Sequence, residues 1–117
     1  MTADGLITIP SRYGTKDTAN RLTAAVEARG MTVFARIDHA AGAAEAGLPL
    51  RPTELLVFGN AKGGTPLMQS NQMIGIDLPL KALVWQDEAD RARLCCNDLS
   101  WLAKWHRLGP PEVDPTF

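Results

Sequence analysis

The chain has 117 residues, 45% apolar and 21% charged, which fits one globular domain with its own core and excludes disorder, collagen-like repeats and a disulfide scaffold. Twelve Lys and Arg against 13 Asp and Glu leave a formal charge of −1, so no basic excess is present to neutralise a nucleic-acid backbone. No apolar run approaches the ~18 residues of a membrane span, and the stretch from Met1 to Gly5 lacks the basic and apolar regions of a signal peptide, so a cytoplasmic protein without membrane partners is expected.

Gly5 to Pro10 is short, β-branched and ended by proline, which predicts a first strand with Ile7 and Ile9 on one face. Thr15 is placed to cap a helix and Asp17 to favour its first turn, and Leu22, Ala25, Val26 and Arg29 follow at helical spacing until Gly30. Met31 to Asp38 alternates as a second strand. The alanine-rich stretch from His39 to Ala46 predicts a short helix stopped by Gly47.

Beyond the loop marked by Pro49 and Pro52, the apolar run Glu54 to Phe58 predicts a strand inside a sheet. Asn60 to Gly64 has loop composition, and Thr65-Pro66 predicts a helix start, because threonine caps and proline suits the first helical position. The short helix would run from Leu67 to about Asn71, while Met73 to Leu78 carries no assignable period. Leu80 to Gln86 alternates as a fourth strand, Asp87 to Asp90 turns, and Arg91 to Cys96 returns as its hairpin partner. Asn97 or Asp98 caps a last helix with Leu99, Leu102 and His106 on one stripe and Trp101, Trp105 and Leu108 on the next. Gly109, Pro110 and Pro111 end it, and residues from about 110 to 117 read as a tail.

Leu50 to Asn60 (LRPTELLVFGN), Gly64 to Met68 (GTPLM) and Asp77 to Lys81 (DLPLK) together resemble the domain-of-unknown-function 302 family. Gly5-Leu6, Asp17-Thr18, Leu22 and the stretch Phe34 to Ala40 extend the resemblance over almost the whole chain. It implies an α+β fold of two layers, in strand–helix–four strands–helix order, with a curved antiparallel sheet and a homodimer. It implies no reaction, no cofactor and no catalytic set. Ala61 and Gln72 stand where the family commonly has proline, and Cys95-Cys96 stand where a tyrosine often precedes Asn97-Asp98, so no role of a phenol is carried over.

The glycine-rich segment Gly59 to Thr65 leads into a predicted helix start, where backbone N–H groups attract phosphate or carboxylate and Lys62 adds a charge. It is not a P-loop: Thr65-Pro66 stands where Lys-Ser or Lys-Thr belongs, and Pro66 removes a donor. The competing structural reading is a strand-to-helix turn with Asn60 bonded to its own backbone. His39, at the end of the second strand, is the candidate catalytic acid or base. It needs a partner such as Asn60 or Lys62 from the next strand, and its competing reading is a cap for the Ala40 to Ala46 helix.

His39, His106, Cys95 and Cys96 are all competent metal or haem ligands, but they form no Cys-x-x-Cys or haem-attachment spacing, and consecutive strand cysteines point to opposite faces. No metal site is therefore expected, while bis-histidine haem ligation stays open. Trp101 and Trp105, one turn apart, line either the core, a ligand cavity or an interface, with the core expected for at least one of them. The leading functional expectation is a small anionic or planar ligand held by His39, Phe58, Gly59, Asn60, Lys62, Gly64 and Thr65 between helix and sheet. The alternatives are an enzyme using His39 on a small anionic substrate and a protein-interaction module.

Overall fold

The structure, a computed structural model, describes residues 5–106. Leu108, the Gly109-Pro110-Pro111 stop and the predicted tail lie outside the described residues.

The chain order is β1 (Leu6–Pro10), α1 (Thr15–Ala28), β2 (Thr32–Asp38), α2 (His39–Glu45), β3 (Thr53–Gly59), α3 (Ala61–Ser70), a 3₁₀ segment (Gln72–Asp77), β4 (Leu80–Gln86), β5 (Ala92–Asn97) and α4 (Leu99–Trp105). The predicted α+β class and element order hold, with α2, α3 and the 3₁₀ segment inserted between strands. The sheet is open, in the order β1-β5-β4-β3-β2, and every neighbouring pair is antiparallel.

Local chemistry sets the boundaries. Gly14, not Thr15, occupies the N-cap of α1, which has no side-chain cap; its first turn carries Asp17, favourable at the positive end of the helix dipole. At the other end Gly30 adopts φ +79°, which lets Met31 N–H return to the Val26 carbonyl at 3.2 Å. Asp98 caps α4 through the amides of Ser100 and Trp101.

Strand alternation divides the sheet into two faces. Leu56 and Phe58 of β3 stand opposite Ala82 and Leu80 of β4, and with Val84 they meet Ala19 and Val26 of α1 and Leu102 of α4 in the hydrophobic core. The other face carries Leu55, Val57, Leu83 and Trp85, all half-buried, and takes no part in that core. Cys95 lies buried on this second face opposite Leu83, whereas Cys96 is half-buried against the core, so the two thiols diverge as the alternation requires.

Candidate functional site

The segment singled out in the sequence folds differently from its prediction. Helix α3 begins at Ala61, four residues before Thr65, because the Asn60 carboxamide accepts the Gly63 amide and Asn60 itself becomes the N-cap. Thr65 and Pro66 therefore lie inside the helix, and Pro66 forfeits the bond that an amide there would make to the Lys62 carbonyl. Gly64 N–H already returns to the Asn60 carbonyl at 3.0 Å. The first two amides, those of Ala61 and Lys62, precede any intrahelical partner and are the donors left to meet a ligand.

Around this helix start lies a cleft of about 190 Å³, lined by Phe34, Gly59, Asn60, Ala61, Gly64, Thr65, Met68, Leu78 and Pro79. Of the predicted ligand residues, Gly59, Asn60, Gly64 and Thr65 line it. Phe58 does not: it is buried in the core on the helix-covered face. Lys62 is exposed on α3 and is not part of the lining.

His39 belongs elsewhere. Because β2 and β3 are antiparallel, Thr32 faces Gly59 while Asp38 faces Glu54. His39 follows Asp38, so it sits at the far end of β3 from Asn60, about 20 Å away at ~3.3 Å per strand residue. The strands are neighbours, yet their direction separates His39 from both Asn60 and Lys62. Nor does His39 cap the following helix, since Asp38 accepts the Ala41 amide at 2.9 Å. The cavity of about 310 Å³ at that end is lined by Asp38, Glu54, Thr15 and Lys16 among others, His39 is not part of its lining, and Glu54 is already paired with Arg36 at 2.6 Å.

The other histidine has a partner that the sequence did not suggest. His106 Nε2 lies 2.6 Å from Asp77 Oδ2, and its side chain is only 9% exposed. The Asn71 side chain donates to the His106 carbonyl at 2.9 Å, so two bonds fasten the end of α4 to the 3₁₀ segment. His39 and His106 thus sit at opposite ends of the sheet, too far apart to ligate one haem within a single chain. Among the described residues no group of three His, Cys, Asp or Glu side chains could hold a metal ion.

Both cysteine thiols are pushed above their ordinary range, chiefly by burial; the neighbouring Cys96 adds to this for Cys95, and the Asp98 carboxylate for Cys96. A thiol held in its protonated form is a poor nucleophile. The two tryptophans stack with ring centroids 5.3 Å apart and planes 9° from parallel. Trp101 packs on the core, and Trp105 covers its outer side while remaining 67% exposed.

Phe34, Met68, Leu78 and Pro79 also line the cleft and were not among the expected ligand residues. A weak signal existed in the adjacent apolar pair Val33-Phe34, which breaks strict alternation in an otherwise two-residue pattern.

A two-layer α+β domain, with an open antiparallel sheet, one helix-covered face and a small cleft at a strand-to-helix junction, is thus the class defined by fold and site. A family profile described as "Domain of unknown function DUF302" matches residues 7–115, and the chain belongs to that family. The crystal structure of the uncharacterised conserved protein DUF302 from Bacillus stearothermophilus is similar with a TM-score of 0.82 at 21% identity, over 94% of this chain and 85% of that one.

Among curated proteins, the chain is 50% identical over 105 residues to "Fluoride-specific ion channel FluC 1" of Brucella suis biovar 1 and to the protein of the same name from Brucella abortus biovar 1. The match covers 90% of this chain but 41% and 39% of those relatives, so the chain spans about two fifths of their length. Among the described residues no helix is long and apolar enough to cross a membrane.

Proposed function

We propose that the chain is a binding domain that takes a small organic anion into the cleft at the start of α3. The observation that carries this reading is the convergence of Gly59, Asn60, Gly64 and Thr65 on one cleft whose remaining wall is apolar. The Ala61 amide in the cleft wall, the Lys62 amide next to it just outside the lining, and the positive end of the α3 dipole favour an anionic group, while Phe34, Met68, Leu78 and Pro79 favour a carbon skeleton. An enzyme built on His39 has less support, because the histidine is separated from these donors by the length of β3. A homodimer is part of the proposal: Leu55, Val57, Leu83 and Trp85 offer a sheet face that no core residue covers.

The test is chemical-shift mapping of the ¹⁵N-labelled protein with acetate, benzoate, phosphate and fluoride. The proposal expects the Ala61 and Lys62 amides to move saturably with an organic carboxylate. Absence of any saturable shift in the cleft, with every probe, contradicts it.

A second reading rests on the Brucella relatives. A channel crosses the bilayer with helices or a closed barrel. This chain has an open sheet and, among the described residues, no spanning helix. The region it matches in those longer proteins is then an appended domain, and the present chain would act beside an anion-handling membrane protein. Co-purification of such a protein from membranes of the native host tests this reading, and its absence under mild detergent speaks against it.

A further inference from the structure

The edge strand β2 is irregular at one point, and that irregularity bears on the cleft. Val33 pairs with Phe58 and Ala35 with Val57, so two consecutive residues of β3 face β2 residues two apart, and Phe34 is the extra, unpaired residue of a β-bulge. A bulge re-aims a side chain that regular pleating would send elsewhere. Here the re-aimed side chain is a phenyl ring that lines the cleft while remaining 56% exposed, outside the hydrophobic core. More than half of this residue is open to solvent, and an exposed aromatic surface gains most from a second flat, apolar surface laid against it.

Volume narrows the occupant further. A cavity of about 150 Å³ holds a benzene ring, so a cleft of about 190 Å³ matches one ring with a small substituent. We infer that Phe34 is the specificity-determining residue of this cleft, presented by the β2 bulge to stack on a single planar ring that carries one carboxylate. The inference rests on the proposed anion-binding cleft and names the class of ligand it takes. Met68 and Leu78 supply apolar contact at the ring edge, and Thr65 can donate its hydroxyl to the carboxylate.

The experiment compares benzoate with cyclohexanecarboxylate, which has the same ring size and charge but is not flat, by calorimetry and by the Ala61 and Lys62 amide shifts. The expected result is a three- to tenfold preference for benzoate in the wild type, the range of an aromatic pair. Phe34→Leu, which keeps apolar bulk at an exposed site, should still bind both and bring the ratio close to one. Phe34→Tyr, which keeps the ring, should retain the preference and guards against a folding defect in the leucine variant. A ratio near one in the wild type, or a preference that survives Phe34→Leu, overturns the inference while leaving the cleft itself in place. If neither compound moves the two amides, the cleft reading falls and the inference with it.

Discussion

The Asn60 carboxamide accepts the amide of Gly63, three residues further on, and by doing so starts α3 at Ala61 rather than at Thr65. This single bond decides which backbone donors border the cleft. Asn60→Ala should therefore cost about 1 kcal/mol of stability in urea unfolding, whereas Asn60→Asp, which keeps a capping oxygen, should cost less than half of that. The alanine variant should also weaken carboxylate binding at the cleft, since the Ala61 and Lys62 amides lose their fixed direction.

The Asp77 to His106 contact ties the 3₁₀ segment to the end of α4 across 29 residues of chain. Asp77→Ala removes the acceptor from a histidine that is nearly buried, and a loss of about 1–2 kcal/mol is expected. His106→Ala in the Asp77→Ala background should cost less than His106→Ala alone. A double-mutant cycle measures that difference, and strict additivity would mean the contact contributes nothing.

Gly5 has φ +86°, and a Cβ built there would lie 2.8 Å from Trp101 Cε3. Gly5→Ala meets both an unfavourable backbone region and a ring held in place by its stack on Trp105. A loss of roughly 1–2 kcal/mol or more should follow, accompanied by a change in tryptophan fluorescence. Gly42→Ala, where nothing lies within 4 Å, is the matched control and should be neutral or slightly stabilising.

Asp87 organises the β4–β5 hairpin. Its carboxylate accepts the amides of Arg91 at 3.0 Å and Ala89 at 2.9 Å and the Arg93 guanidinium at 2.9 Å. The Arg91 amide, followed by the Arg93 side chain, holds this carboxyl below its usual range. Because the folded-state carboxyl titrates lower than the unfolded one, its contribution is complete above the unfolded value of about 3.9 and fades as pH falls through the lower folded value. NMR titration should place its midpoint below that of an unstructured aspartate, and Asp87→Asn should flatten this part of the acid-unfolding profile. An ordinary midpoint would contradict the assignment.

Much of the fold was legible because its signals are local. Alternation from Leu80 to Gln86, the glycine stops at Gly30 and Gly47, and the Asp98 cap each act within a few residues, and each lies where it was expected. Thr65-Pro66 misled for an instructive reason: it is a sound helix-start pair, but an asparagine five residues upstream completed a cap first, and one proline in the second turn costs the helix only the bond from its own missing amide. The stretch from Met73 to Leu78 had no readable period because part of it, up to Asp77, is a 3₁₀ segment, anchored by Asn71 accepting the Met73 amide.

The candidate site was legible only in half. Gly59 to Thr65 could be marked from composition, but strand direction and register place His39 at the other end, and neither property is written in a local pattern. The Phe34 bulge is likewise a product of how β2 pairs with β3, and the Asp77 to His106 contact depends on where α4 returns.

The most direct measurement is a crystal structure of the protein grown with benzoate. Ordered density is expected in the cleft, with the ring against Phe34 and the carboxylate at the start of α3, on the Ala61 amide. Benzoate bound elsewhere with the cleft occupied only by water, or an absence of benzoate at concentrations that saturate the solution shifts, would contradict that expectation.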